Sequence, residues 1–266
     1  MSSSKTSPKG VVYAIANQKG GVGKTTITEH LAIGLANLGK QVLVVDVDPQ
    51  ANSSTFFLFE PDLFYGHPSS VDKTLRITII HKQPLPVFPS RYENIDIVPS
   101  SLDLSTADRE LASSEGLYHN RLKKRLDEIK DKYDYVLLDC PPSLSCIMVN
   151  ALVAADRLVV IVNMGIDSLS GVDQLERTIN DLILNDFEHK VDFRGFLING
   201  ALRTSIAYRN IRDTLDKRFP KKAYSTFIPY RVGVESAKVR GTSMLEGEPN
   251  DYAMAMRKFI KEEFNL

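Results

Sequence analysis

The chain has 266 residues, of which 43% are hydrophobic and 25% charged, and its basic and acidic residues balance to a net charge of zero. This length suits one large α/β domain or two small ones, and one domain is the simpler interpretation. No run of about 18 apolar residues exists to span a bilayer, which excludes an integral helical membrane protein. The two cysteines, Cys140 and Cys146, are too few for a disulfide framework, so we predict two reduced thiols.

The first ten residues, MSSSKTSPKG, are polar and contain no apolar segment of the kind that secretory signal peptides carry. We interpret residues 1–10 as a disordered lead-in and residues 11–266 as a single domain. A chain without such a signal is expected to stay in the cytoplasm.

Short runs of β-branched residues alternate with helical patterns along the chain. Runs this apolar suit strands that are buried on both faces, and the helical stretches between them suit right-handed crossovers. The sequence therefore predicts an α/β fold with a doubly wound, mostly parallel sheet and helices on both faces. The predicted strands cover residues 11–16, 41–46, 95–100, 133–139, 157–163, 193–199 and 223–229.

Two further stretches are distinctive. Residues 61–91 hold five of the thirteen prolines, and we interpret them as an insertion or a mobile region. Near the C-terminus, Asn250 is a plausible helix cap, and Met256, Phe259 and Ile260 recur at helical spacing. This pattern predicts a last helix that docks on the core, since a membrane-surface helix would have a more basic polar face.

A glycine-rich stretch, NQKGGVGKTT (17–26), lies between the first predicted strand and a helical pattern that begins at Thr25 and stops at Gly39. In this context glycines let backbone N–H groups surround phosphate oxygens, and the helix N-terminus adds partial positive charge. Lys24 can reach the β- and γ-phosphates, and the Thr25 hydroxyl can hold Mg²⁺. The predicted nucleotide-binding residues are Gly20, Gly21, Val22, Gly23, Lys24, Thr25 and Thr26.

This loop departs from the usual phosphate-loop pattern, because Gln18 stands where a glycine is expected. KGGVGKTT instead resembles the deviant Walker A motif of the ParA/MinD ATPases. VDVDPQAN (45–52) resembles a second acidic motif of that family, and YDYVLLDCPPSLS (133–145) resembles its Walker B region. The three motifs occur in the family's order, and their wording is similar to that of the ParA/Soj branch.

The resemblance implies a P-loop ATPase that uses ATP and Mg²⁺ and forms a homodimer with ATP sandwiched between subunits. It implies catalytic roles for three residues. Lys19 would reach the phosphates bound by the partner subunit, as an arginine finger does, while Lys24 would serve its own subunit. Asp48 would orient the attacking water.

The resemblance also implies a metal site and a base contact. Mg²⁺ would be held by Thr25, by Asp139 through water, and with the support of Asp46. Asp46 and Asp48 lie two apart on an extended end and so share a face; two acids that merely end a strand at the surface are the alternative. Asn199 resembles the position that reads the adenine edge, although a turn asparagine fits equally well.

A basic region extends from Lys190 to Arg240, where twelve Lys and Arg and four acids give a net charge of +8. Such a region suits a polyanion partner, and solvated helix faces account for it equally well. In the ParA/Soj branch it implies sequence-independent DNA contacts, although the usual IPRNVRLSEAP appears here as IPYRVGVESAK (228–238). The candidate DNA-binding residues are Arg203, Arg209, Lys221, Lys222, Arg231, Lys238 and Arg240.

The resemblance implies a nucleoid-associated ATPase that segregates plasmid or chromosomal DNA with a ParB-like centromere-binding partner, which stimulates hydrolysis. A second hypothesis is a ParA-like ATPase that positions a protein cargo on the nucleoid through an adaptor. A third is a MinD-like membrane-patterning ATPase. The last residues, RKFIKEEFNL, argue against this third hypothesis because two acids interrupt the basic residues that a membrane-targeting helix requires.

Overall fold

The computed structural model describes residues 9–58, 73–112, 118–165 and 191–266. Within them, eight strands form one sheet in the order β3-β4-β2-β5-β1-β6-β7-β8. Neighbouring strands are parallel, except that β3 pairs antiparallel with β4 at one edge. The strands are β1 (Val11–Ala16), β2 (Val42–Asp46), β3 (Phe88–Pro89), β4 (Ile95–Val98), β5 (Tyr135–Asp139), β6 (Arg157–Val162), β7 (Asp192–Ala201) and β8 (Ala223–Pro229).

Helices cover both faces of this sheet, because alternate strand residues point to opposite sides. Val12 and Ala14 belong to one buried core, and Tyr13 and Ile15 belong to the other. The helices are α1 (Lys24–Ala36), α2 (Asn52–Leu58), α3 (Leu75–His81), α4 (Leu104–Ala112), α5 (Arg121–Asp127), α6 (Cys146–Ala154), α7 (Ile206–Arg218), α8 (Gly233–Val239) and α9 (Asp251–Phe264).

The predicted fold is confirmed, and all seven predicted strands are present with small shifts at their ends. The strand that sequence reasoning missed is β3, a two-residue edge strand. It lies in the stretch interpreted as an insertion, where α3 also buries Leu75 and Ile79 completely. That interpretation was wrong for residues 75–81, which form part of the core, while residues 61–72 lie outside the described residues.

The last helix, α9, docks on the core as predicted. The side chain of Asn250 caps it by accepting a hydrogen bond from the Ala253 N–H at 2.8 Å. Met256, Phe259 and Ile260 are buried, and burial of such side chains stabilises the fold by about 1.5–3 kcal/mol each. Because a Cβ at Gly34 of α1 would collide with Ile260 Cδ1, this glycine lets α1 and α9 approach closely.

A second feature of α9 is the buried carboxylate of Glu263, which lies toward the amino ends of β1, β6 and β7. It accepts hydrogen bonds from Tyr13 Oη at 3.1 Å, Tyr224 Oη at 2.6 Å and Arg194 Nε at 2.7 Å. Arg157 Nη1 in turn donates to Tyr13 Oη at 2.5 Å. We call these five residues the Glu263 cluster; it fastens the end of α9 to four strands, β1, β6, β7 and β8.

Two smaller findings concern the cysteines and the helices of the described residues. Cys140 is buried and Cys146 is partly buried, and both are free thiols, as predicted. In the parts of the chain that the structure describes, no helix is both long and apolar enough to cross a membrane.

Candidate active site at the carboxyl edge of the sheet

The loop between β1 and α1 has the backbone that a phosphate cradle requires. Gly21 and Gly23 have φ values of +70° and +93°, which only glycine adopts readily. A Cβ at Gly23 would also collide with Asn199 Nδ2. Helix α1 starts directly after Gly23, and no side chain caps its first N–H groups. These groups are therefore available to an anion.

Lys24 lies between this loop and a group of carboxylates. Its side chain is 6% exposed, and Nζ donates a hydrogen bond to the Lys19 carbonyl oxygen at 3.1 Å. Burial lowers the pKa of Lys24, while the neighbouring Asp139 and Asp48 oppose that change. Lys24 thus lies between the loop and the carboxylates, at a position from which it can meet phosphate oxygens.

Three aspartates at the ends of β2 and β5 form what we call the carboxylate cluster: Asp46, Asp48 and Asp139. Asp46 and Asp139 are direct neighbours across the β2–β5 pair, and both are completely buried. Asp48 is 9% exposed, and its N–H donates to Asp46 Oδ1 at 3.1 Å. The structure therefore brings together the carboxylates predicted for the metal and the attacking water, and it rules out the alternative of two acids at the surface.

Two serines that sequence reasoning missed complete part of this cluster. Ser54 donates to Asp46 Oδ2 through its hydroxyl at 2.6 Å and through its N–H at 2.8 Å. Ser53 Oγ donates to Asp139 Oδ2 at 2.7 Å. Both serines open α2, immediately after the acidic motif, and a serine pair in that place was the available signal.

Asp139 is left incomplete. Among the described residues its Oδ1 atom has no hydrogen-bond partner. Burial raises its pKa to about 6, although the hydroxyls of Ser53 and Thr25 counteract this. Burial and the Asp139 charge likewise raise the pKa of Asp46. A buried carboxylate oxygen without a donor suits a divalent cation or its water, because such a ligand supplies the missing positive charge.

The residues present therefore fit a Mg²⁺ ion that is held partly by water and phosphate. Thr25, Asp139 and Asp46 would supply the protein side of such a site. No group of three or more His, Cys, Asp or Glu in the described ranges forms a metal site by itself. Mg²⁺ often binds through one or two carboxylates plus substrate phosphates, so this donor set suits a metal that arrives with a nucleotide.

A cavity of about 460 Å³ opens beside the loop. Asn199, at the end of β7, lines it and donates from Nδ2 to the Val22 carbonyl oxygen at 2.9 Å. Tyr230 and Glu235 line the same cavity, and Tyr252 of α9 lies at its wall; none of these three was predicted from the sequence. The volume is in the range of small-molecule sites, so the cavity can take a nucleoside while the loop takes its phosphates.

Lys19 lies at the rim of the site, half-buried. Its N–H donates to Asn17 Oδ1 at 3.0 Å. Its ammonium passes over Gly165, after β6, where an added Cβ would lie 3.0 Å from Nζ. In the single chain, therefore, the Lys19 ammonium lies next to Gly165 of its own protomer.

The structure divides the basic residues of the C-terminal third. Arg231 pairs with Asp251 beside the cavity, and Lys238 pairs with Glu29 of α1 at 3.0 Å. Other candidates for DNA contacts lie on the surface, and Lys190 is outside the described residues. Arg231 is exposed although it is paired, and the other exposed candidates are Arg203, Arg209, Lys221, Lys222 and Arg240.

Comparison with known proteins places this geometry in a family. A protein-family model described as an AAA domain matches residues 10–193. The chain is 32% identical to the sporulation initiation inhibitor protein Soj of Bacillus subtilis, with 90% of this chain and 92% of that protein covered. It is also 32% identical to the chromosome partitioning protein ParA of Caulobacter vibrioides, with 88% and 86% covered.

A solved structure agrees with the fold. Cobyrinic acid a,c-diamide synthase from Mycobacterium smegmatis, with bound ATP analogue and magnesium, superimposes with a TM-score of 0.74 at 25% identity, covering 94% of this chain and 92% of that one. Its two ligands agree with the cofactors predicted here. The family model covers more than half of the chain, and both named relatives exceed 30% identity over most of their length. The chain therefore belongs to the ParA/Soj family of partition ATPases.

Proposed function

We propose that this chain is a Mg²⁺-dependent ATPase that dimerises around ATP, binds DNA without sequence preference, and segregates plasmid or chromosomal DNA with a ParB-like partner that stimulates hydrolysis. The observation that carries this proposal is the meeting of the glycine loop, Lys24 and the carboxylate cluster at one edge of the sheet. The family membership of the chain and the adjoining cavity support the same function.

Each group has a chemical role in this proposal. The loop N–H groups and Lys24 bind the phosphates. The Lys24 ammonium exchanges its hydrogen bond to the Lys19 carbonyl oxygen for contacts with phosphate oxygens. Mg²⁺, when bound, neutralises charge on the β- and γ-phosphates. Asp139 and Thr25 hold that ion, with Asp46 in support, and Asp48 orients the attacking water. The base occupies the cavity, where Asn199 reads its edge.

Lys19 gives the proposal its dependence on a dimer. In the single chain its ammonium lies next to Gly165 of the same protomer. A second protomer facing the site brings its own Lys19 to the phosphates, where positive charge stabilises the transition state. ATP then holds two protomers together, and hydrolysis releases them.

The exposed basic residues supply the DNA contacts. Lys and Arg that neutralise phosphates give affinity without sequence preference and make it fall with rising salt. Arg203, Arg209 and Lys221 lie on the surface and are available for this role. The protein would then act in the cytoplasm, on the nucleoid, as a single domain over residues 11–266.

The test measures DNA binding with and without nucleotide, by gel shift on a DNA fragment of arbitrary sequence. The unaltered chain is expected to bind with ATP and Mg²⁺ and to bind poorly with ADP. Lys24→Ala should lose nucleotide binding, whereas Lys19→Ala should bind ATP but lose ATP-dependent DNA binding and hydrolysis. Asp48→Ala should stay on DNA with ATP. DNA binding that is equal with and without nucleotide would contradict the proposal.

A further inference from the structure

A buried ion pair joins α8 to the phosphate-loop helix. Lys238 Nζ lies 3.0 Å from Glu29 Oε2 and donates to Thr26 Oγ1 at 3.4 Å. The Glu29 side chain is completely buried, and that of Lys238 is 23% exposed. Among the described residues, the Glu29 oxygens make no hydrogen bond to any group other than this ammonium. The pair therefore fixes one cation beside the first turn of α1.

Stability alone does not account for a cation in this place. A buried ion pair gives little net stability, because desolvation of both charges offsets their attraction. Burial also raises the pKa of Glu29 to about 8, with Lys238 opposing the change. The Glu29 carboxyl group therefore offsets the charge of Lys238 incompletely, and positive charge of Lys238 remains available to another anion.

The position of Thr26 shows which anion can reach that charge. Thr26 lines the cavity proposed for the nucleoside, whereas Lys24 and the carboxylate cluster lie outside the cavity lining. A nucleotide with its β- and γ-phosphates at Lys24 and its base in the cavity must place its α-phosphate between the two, beside Thr26. Residues 234 and 235 of α8 line the same cavity, so the helix that carries Lys238 borders the proposed nucleoside site, while Lys238 itself reaches Thr26 from outside the lining.

We propose that Lys238 is a further nucleotide-binding residue, whose ammonium contacts the α-phosphate, and that Glu29 is the positioning residue that holds it there. This inference rests on the proposed function. The α-phosphate is common to ADP and ATP, so Lys238 contributes equally to the binding of both. The γ-phosphate, where the bond breaks, is contacted by other groups, so Lys238 changes KM and leaves kcat nearly constant.

The test uses the full chain with both partners of the pair replaced, Glu29→Gln together with Lys238→Met. Replacement of both leaves no unpaired buried charge, so the double variant is expected to fold. Loss of one charge-assisted contact should weaken ADP and ATP binding by about tenfold each and raise KM by a similar factor. Titration calorimetry with Mg²⁺ gives the two affinities, and steady-state hydrolysis gives kcat and KM.

Two comparisons make the result specific. Lys238→Arg keeps the positive charge and should restore most of the affinity. Lys261→Met removes one exposed lysine of α9 and should change nothing, which controls for the loss of a lysine away from the site. If the double variant folds and binds both nucleotides as tightly as the unaltered chain, the pair is structural only and this inference is wrong. If the unaltered chain binds neither nucleotide, the proposed function is wrong and this inference with it.

Discussion

Two groups of buried charge lie at opposite ends of the same sheet, the Glu263 cluster toward the amino ends of its strands and the carboxylate cluster at the carboxyl ends, and they differ in how completely they are satisfied. In the Glu263 cluster, one carboxylate meets two tyrosine hydroxyls and an arginine within 3.1 Å. In the carboxylate cluster, Asp139 and Asp46 are direct neighbours, and Asp139 keeps one oxygen without a partner among the described residues. The first cluster contains its own counter-charge, whereas the second lacks enough of it.

This difference separates a structural network from a site. A buried carboxylate that the chain completes with its own donors holds elements together and needs no ligand. A buried carboxylate that the chain leaves incomplete costs free energy of folding until a cation arrives. Perturbed carboxyl groups are concentrated at functional sites for this reason. The same residue type therefore has opposite effects on stability at the two ends of the sheet.

The largest effect is expected for Glu263→Ala, which tests whether the Glu263 cluster stabilises the fold. Removal of this carboxylate leaves Arg194 and two buried hydroxyls without their partner, so the free energy of unfolding should fall by about 3–5 kcal/mol. Urea unfolding measures the change, and Glu248→Ala, an exposed site, is the control. ADP affinity should stay the same in the folded variant. A loss of less than about 1 kcal/mol would show that the cluster is not a structural network.

The opposite sign is expected for Asp139→Asn. In the nucleotide-free chain at pH 8, this change removes a buried charge that Lys24 offsets only in part, and it should raise the free energy of unfolding by about 2 kcal/mol. Hydrolysis of MgATP should fall by at least about a hundredfold, because a ligand of the metal is lost. The same urea assay applies. If Asp139→Asn destabilises the chain as Glu263→Ala does, the proposed contrast between the clusters is wrong.

The pH dependence of stability tests whether ionised Asp139 destabilises the folded chain. The pKa of Asp139 is raised from 3.8 to about 6, so between these values the folded chain holds a proton that the unfolded chain has lost. This group therefore lowers the free energy of unfolding by about 1.4 kcal/mol per pH unit as pH rises through that window. The difference in free energy of unfolding between the unaltered chain and Asp139→Asn should be small at pH 4, should grow as pH rises, and should be constant above pH 6. A difference that is equal at both pH values would contradict this assignment.

The smallest effect is expected for Tyr224→Phe. The variant keeps the ring, which packs edge-on against Phe259, and loses only the hydroxyl that donates to Glu263 at 2.6 Å. The free energy of unfolding should fall by about 0.5–1.5 kcal/mol, less than for Glu263→Ala, because Tyr13 and Arg194 remain. Thermal unfolding with and without ADP measures this change. An altered ADP affinity would mean that the two clusters are coupled through the sheet.

The phosphate loop was predictable from the sequence, whereas the side chains that contact its surroundings from distant parts of the chain were not. The loop and the strand before it were predicted because the glycine spacing, Lys24 and the apolar run act within a few residues of one another. Ser53, by contrast, meets Asp139 across 86 positions of sequence, and Lys238 meets Thr26 across 212. No local pattern signals such a contact, since the sheet order alone brings the partners together.

The basic region (residues 190–240) shows the same difference between what the sequence predicts and what only the structure reveals. Its net charge of +8 is readable from the sequence, but the pairing of its members is not. Arg231 pairs with Asp251 at the surface and Lys238 pairs with the buried Glu29, while Arg209 and Lys221 are exposed. Candidates for DNA contacts are therefore separated by tertiary contacts that composition does not contain.

The amino-acid sequence by itself determined the alternation of strands and helices, the phosphate loop and the acidic strand ends, because hydrophobic periodicity and glycine conformations are local properties. Only the tertiary structure decided which carboxylate is satisfied and which is left incomplete. Satisfaction of a buried charge depends on the donors that other strands and helices bring within about 3 Å, and those donors are distant in the chain. The contrast between Glu263 and Asp139 therefore exists only in the folded protein.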